Sequence, residues 1–266
     1  MEMRIGGRAV TSPDERWIEV KNPATGETID RVPAATADDL DLAVEAAAEA
    51  GPGWKSRAMR ERGKILFHAA ARVREQHKEL GRMLTMEQGK PLREAVDEVR
   101  GFANVLEFYA GISAQASGEA VRLGASGDCM VTREPLGVCG AIVPWNMPVL
   151  IFGWKMGPAL LAGNTMVAKP ASTTPLTTLS IARILEEAGL PPGVLNIVTG
   201  YGKDIGEAIV SHPGIAKVSF TGSCATGARI RELAARNPKE LILELGGSDP
   251  MIVMDDANPG LAAEGA

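Results

Sequence analysis

Val138-Cys139-Gly140-Ala141-Ile142-Val143, running into Pro144-Trp145-Asn146-Met147-Pro148, is the stretch on which the fold turns. Six residues without a charge, closed by a proline-bounded turn, read as a strand buried on both faces. A helix over about Val149 to Leu161 follows, and then a second apolar strand, Thr165-Met166-Val167-Ala168. The alternation continues through a helix over Leu176 to Ala188, the strand Val194-Leu195-Asn196-Ile197-Val198 and a helix near Asp204 to Ser211. The strand Lys217-Val218-Ser219-Phe220, a helix over Ala225 to Ala235 and the strand Leu241-Ile242-Leu243-Glu244-Leu245 bring the series to five strands. Such a pattern predicts an α/β fold, a Rossmann-like doubly wound parallel sheet with its ligand loops at the strands' carboxyl ends. A sixth strand, Met251-Ile252-Val253-Met254, is expected to begin near the end of the chain.

Upstream, Trp17-Ile18-Glu19-Val20 and Thr28-Ile29-Asp30-Arg31-Val32 alternate apolar and polar around a turn at Asn22 to Gly26, the pattern of an antiparallel pair. Thr36 before Ala37-Asp38-Asp39 is an N-cap for a helix reaching Ala50, where Gly51-Pro52-Gly53 should stop it. Further helices are expected over Met59 to Gln76 and over Leu92 to Ala116. In the latter, Val96, Val99, Ala103, Leu106 and Ala110 share one face, and Arg93, Glu94, Asp97, Glu98 and Arg100 read as the solvated side. Ala120 to Leu123 and Cys129 to Thr132 flank a glycine-rich turn and form a hairpin. Two strands alone are marginally stable and leave open edges, so this ribbon should pack on something else, for instance another subunit.

The composition excludes several classes. The chain has 266 residues, 45% hydrophobic and 23% charged, the balance of a folded globular protein. Its net charge is −5 and no basic run stands out, which disfavours nucleic-acid binding and attachment to an anionic membrane. No apolar run approaches the ~18 residues of a membrane span, and the N-terminus lacks a secretory apolar core. Cys129, Cys139 and Cys224 show no metal-binding spacing and His68, His77 and His212 do not cluster with them, so no metal site is proposed and a cytoplasmic location is expected.

Polar groups sit at the carboxyl ends of three of the strands. Asn146, held between two prolines, could serve as a preorganised oxyanion donor or simply as a turn amide. Lys169, before Pro170, could bond ribose hydroxyls or a phosphate, or could be solvated. Glu244, before Gly246-Gly247, could become a general base if apolar surroundings raise its pKa. The glycines of Gly200-Tyr201-Gly202 and Gly222-Ser223 do not spell a dinucleotide fingerprint, but Thr221-Gly222-Ser223 precedes a helix, whose free N–H groups suit a pyrophosphate.

Taken together with Asn22-Pro23-Ala24-Thr25-Gly26-Glu27, Glu87-Gln88-Gly89-Lys90-Pro91, Gly157-Pro158-Ala159-Leu160, Pro192-Gly193-Val194-Leu195-Asn196 and Leu243-Glu244-Leu245-Gly246-Gly247, these motifs resemble the N-terminal, cofactor-binding half of an NAD(P)-dependent aldehyde dehydrogenase. The resemblance runs over essentially the whole chain. It implies a full-length form that oxidises a small-molecule aldehyde to a carboxylic acid with NAD or NADP, as a homo-oligomer. It further implies that residues 1–117 and 136–247 form the cofactor domain, 118–135 an oligomerisation hairpin and 248–266 the start of a catalytic domain. Carried onto this sequence, Asn146 is similar to the family's oxyanion amide and Glu244 to the base that activates water for thioester hydrolysis. Lys169 is similar to the lysine that bonds the adenosine ribose. Gly202 falls on the adenine side, Gly222 and Ser223 at the pyrophosphate, and Pro144, Trp145 and Gly246 beside the cofactor. Trp154 matches a substrate-tunnel aromatic.

Two departures stand out. Ser172 occupies a position where many NAD-preferring members carry a glutamate that repels a 2′-phosphate, so NADP should be tolerated. The nucleophilic cysteine of the family lies further beyond the glutamate than this chain runs, and no cysteine follows Cys224. Cys224, at a helix N-terminus, is the best substitute but belongs beside the pyrophosphate, away from the nicotinamide; Cys139 and Cys129 read as small apolar fillers. The isolated chain is therefore expected to bind cofactor with negligible dehydrogenase activity. The alternative is a non-catalytic NAD(P)-binding or interaction module.

Overall fold

The chain opens with two short strands, β1 (Met3–Ile5) and β2 (Arg8–Val10), in a computed structural model that describes residues 1–11, 16–115 and 118–265. The antiparallel pair β3 (Trp17–Lys21) and β4 (Thr28–Pro33) comes next, then α1 (Ala37–Lys55), α2 (Met59–Glu75), α3 (His77–Gln88) and α4 (Leu92–Ile112). The hairpin β5 (Glu119–Arg122) and β6 (Asp128–Val131) leads into the regular alternation β7 (Val138–Ile142), α5 (Pro148–Leu161), β8 (Thr165–Lys169), α6 (Leu176–Glu187), β9 (Leu195–Ile197), α7 (Glu207–Ser211), β10 (Lys217–Gly222), α8 (Cys224–Ala234) and β11 (Glu240–Leu245). A final helix, α9, covers Pro259–Gly265.

The expected five-stranded parallel sheet is present, in the order β11-β10-β7-β8-β9, and β1 and β2 extend it antiparallel beyond β9. Alternate strand residues serve opposite faces. Cys139, Ala141, Met166 and Ala168 join a core with α2 to α6 around Leu66, Phe102, Phe152 and Met156. Val138, Ile142, Val167 and Val218 join a second core with α1, α7 and α8 around Leu40, Val44, Ile209 and Ile230. Both faces are thus covered, as an apolar parallel strand requires. The strand order reverses between β7 and β10, and the helices that follow them, α5 and α8, pack into the two different cores.

Several expectations are corrected. Helix α1 runs through Gly51-Pro52-Gly53 to Lys55, because Trp54 is 1% exposed and its indole Nε1 donates to the Leu160 carbonyl at 3.0 Å. That anchorage outweighs the local breakers. Helix α3 was not anticipated; Leu80 and Leu84 bury one side, and a Cβ on Gly81 would come within 2.5 Å of Val96, so the glycine lets α3 and α4 close. Strands β1 and β2 are three residues each, too short for a readable period, and are joined by Gly6 and Gly7 at φ of 58° and 75°. Helix α4 ends at Ile112; its expected end at Ala116 and the domain boundary at residue 117 lie outside the described residues.

Met251 to Met254 form no strand: all four are exposed, and a strand needs a hydrogen-bonding neighbour, which no described residue supplies. Among the described residues strands β5 and β6 pair only with each other, and both are exposed throughout, Cys129 included, so that cysteine fills no core. Glu98, expected on the solvated face of α4, is buried, for a reason that emerges at the site.

Candidate functional site

A cleft of about 930 Å³ opens at the carboxyl ends of the parallel strands. Its walls are Pro144 and Trp145 after β7, Lys169, Ala171 and Ser172 after β8, Tyr201 and Gly202 after β9, and Thr221, Gly222 and Ser223 from β10 into α8. Seven of the eight residues expected beside a cofactor therefore meet here. Gly246 does not line the cleft; it is exposed, past the end of edge strand β11.

Lys169 is 4% exposed, and its ammonium donates to the carbonyls of Pro170 at 2.8 Å and Gly200 at 3.1 Å. Burial pushes its pKa down to about 8. Ser223 caps α8, its Oγ accepting from the Thr226 amide at 3.2 Å, and Ala225 and Thr226 of the first turn line the cleft with it. A Cβ on Gly222 would lie 2.5 Å from the Phe220 ring, so close packing explains this glycine, whereas a Cβ on Gly202 would meet nothing within 4 Å. After β9 the chain makes one wide π-type turn over Gly202–Gly206 before α7, a distortion that recurs at functional sites. The cleft thus offers amide donors, a buried ammonium and hydroxyls to an elongated anionic ligand, the chemistry a dinucleotide requires.

Asn146 lies on the far side of the loop between β7 and α5. It faces a second groove of about 930 Å³ with Lys90, Asp97, Glu98, Met147 and Leu150, so the loop separates two cavities. Trp154, on α5, is exposed. Glu244 stands exposed on β11 beside Thr221 in register, and the apolar enclosure anticipated for it is not supplied by the described residues. Cys224 is exposed next to Ser223, whereas Cys139 is buried in β7 and burial raises its thiol pKa to about 11. Among the described residues no group of three or more His, Cys, Asp or Glu is placed to hold a metal ion.

The chain matches the model of the aldehyde dehydrogenase family over residues 10–266. The chain belongs to the aldehyde dehydrogenase family. Among solved structures it is similar to PnpE from Pseudomonas sp. WBC-3, with 41% identity and a TM-score of 0.95, over 99% of this chain and 54% of that one. It is similar to the aldehyde dehydrogenase of Bacillus cereus, solved as an NAD+ complex, at 37% identity and a TM-score of 0.95, over 100% of this chain and 55% of that one. It is likewise similar to an NADP-dependent enzyme of E. coli, at 39% identity and a TM-score of 0.94, over 99% of this chain and 55% of that one. The chain therefore spans a little over half the length of these proteins.

The chain also carries polar residues whose placement the sequence reading missed. Lys155 is the single charged residue of α5, which could have flagged it. It is buried, and its Nζ donates to Ser219 Oγ at 3.0 Å; burial lowers its pKa to about 8 while the Glu244 carboxylate pulls it back up. Glu98 Oε1 accepts from the amides of Val149 at 2.8 Å and Leu150 at 3.0 Å, and Glu98 pairs with Lys90. Glu87 accepts from the amides of Leu176 at 2.7 Å and Thr177 at 3.0 Å. Burial raises its pKa to about 7 in spite of those bonds, with the charge of Glu98 adding to the rise.

Proposed function

We propose that the chain is the cofactor-binding portion of an enzyme that oxidises an aldehyde to a carboxylic acid with NAD(P)+ as hydride acceptor. The observation that carries this is the meeting of Lys169, Ser172, Gly222 and Ser223 around one cleft at the reversal of the strand order. The NAD+ complex of the Bacillus cereus relative and the NADP-dependent enzyme of E. coli support the choice of ligand.

On this reading Lys169 and Ser172 hold the adenosine ribose, Gly202 flanks the adenine, and Gly222 with Ser223 receives the pyrophosphate at the start of α8. Pro144 and Trp145 line the same cofactor. Bound there, NAD(P)+ supplies the hydride acceptor. The Asn146 side-chain amide donates its N–H to the oxyanion formed when a thiolate adds to the aldehyde carbonyl. That adduct would become a thioester on losing its hydride to the acceptor, and Glu244 would then take a proton from the water that cleaves it, releasing the acid and the thiol. Trp154 flanks the aldehyde. On this reading none of the three cysteines is that thiolate: Cys139 is buried in β7, Cys129 lies on the hairpin and Cys224 stands beside Ser223 at the pyrophosphate end. Residues 1–117 and 136–247 make up the cofactor domain, 118–135 a hairpin that pairs copies into a homo-oligomer, and 248–266 the start of the catalytic domain. The same reading places the protein in the cytoplasm.

Calorimetric titration tests this: NAD+ or NADP+ should bind the 266-residue chain, without NAD(P)H appearing on addition of an aldehyde. Failure to bind either dinucleotide would overturn the proposal, and robust turnover would overturn the assignment of the nucleophile to residues outside the chain.

A further inference from the structure

We infer that Glu87 and Glu98 are positioning residues for the two nucleotide-facing loops, each carboxylate fixing the helix that follows one loop. The inference rests on the reading that the cleft binds NAD(P). Helices α5 and α6 both begin without a cap from their own sequence: neither Met147 nor Pro175 makes a side-chain capping bond. The first free amides, Val149 and Leu150 in α5 and Leu176 and Thr177 in α6, are instead bonded by carboxylates 51 and 89 residues earlier in the chain. Glu98 is 5% exposed and Glu87 is 2% exposed, so water cannot replace either bond.

The loops so held are short. Residues 143–147 join β7 to α5, and residues 170–175 join β8 to α6. One end of each is fixed by the parallel ladder and the other by a buried carboxyl cap, which leaves the residues between little freedom. Those residues include Pro144 and Trp145 in the first loop and Ala171 and Ser172 in the second, all in the cleft wall. Lys90 adds a second tie to the first loop: it pairs with Glu98 and donates to the Asn146 carbonyl at 2.8 Å. The two carboxylates act on different parts of the ligand. Ser172 follows β8, toward the adenosine side shared with β9, whereas Pro144 and Trp145 follow β7, next to β10 and Ser223.

The test is calorimetry on the 266-residue chain with two probes, NADP+ and adenosine 2′,5′-bisphosphate, alongside amide hydrogen exchange. Glu87→Gln should weaken both probes about three- to tenfold and speed exchange at Leu176 and Thr177. Glu98→Gln should weaken NADP+ by a similar factor, leave the bisphosphate unchanged and speed exchange at Val149 and Leu150. Lys90→Met, which leaves both pairs of amides bonded, should follow Glu98→Gln in the binding split and serves if a glutamate variant fails to fold. Wild-type affinity for both probes in these variants, or an equal loss for both probes in all of them, overturns the inference. Absence of binding by the unaltered chain would instead remove the cofactor reading, and this assignment with it.

Discussion

Lys155 Nζ donates to Ser219 Oγ at 3.0 Å, joining α5 to β10 beneath the strand end from which Ser223 follows. Burial holds this lysine at a pKa of about 8, below the ordinary 10.5. Between those values the unfolded chain carries more protons than the folded one, so this group makes stability rise with pH across that window. Lys155→Met should remove that slope in denaturant titrations at pH 8 and 10. Because the Glu244 carboxylate raises the lysine's pKa, Glu244→Gln should lower it further, a shift to be read from the lysine side-chain resonances in pH-titrated NMR spectra.

Glu87 gives the opposite slope. Its pKa is raised from 4.5 to about 7, so between those values the folded chain binds the extra proton and stability falls as pH rises. The full shift corresponds to at most about 3 kcal/mol. Urea midpoints measured at pH 5 and pH 7.5 should show that fall, and Glu87→Gln should flatten it; an unchanged slope in the variant would assign the effect to other groups.

Ser172→Glu places a carboxylate in the cleft wall near Lys169. On the proposed reading it repels a 2′-phosphate and not a 2′-hydroxyl, so NADP+ affinity should drop at least about tenfold, some 1.4 kcal/mol, while NAD+ affinity is retained. Equal losses for both dinucleotides would place the adenosine ribose elsewhere.

Gly222→Ala drives a methyl to 2.5 Å from the Phe220 ring, which is itself buried. Overpacking of this kind costs about 1–3 kcal/mol. A lowered melting temperature and weaker dinucleotide binding should appear together, since Phe220 also lines the cleft and its ring must shift to admit the methyl.

The three thiols should separate by reactivity. Cys129 and Cys224 are exposed, whereas Cys139 is buried in β7 with its pKa raised to about 11. Iodoacetamide at neutral pH should label Cys129 and Cys224 in the folded chain, and mass spectrometry should find Cys139 labelled only after denaturation.

The parallel sheet was legible in the sequence because strands buried on both faces are mostly apolar, as β7, β8 and β9 are, while β10 shows only an alternation of Val218 and Phe220 with polar residues. So was the helix start at Thr36, whose hydroxyl accepts from the Asp39 amide and whose own amide bonds the Asp39 side chain. These signals are local: each is decided by residues a few positions apart. The lining of the cleft followed from the same logic, since residues at the ends of parallel strands must come together wherever the strands do.

What only the tertiary structure decided is the fate of groups whose partners are far away in the chain. Met251 to Met254 have the letters of a strand and no strand to pair with among the described residues. Trp54 carries α1 past a glycine–proline stop because its ring is anchored to Leu160. Glu98 sits among charged neighbours on α4 and reads as solvated; folding sets it against two bare amides of α5, where a carboxylate is worth more than it would be in water. A sequence shows which side chains are charged, but the free energy of a charge depends on what surrounds it, and that is settled only when distant segments pack.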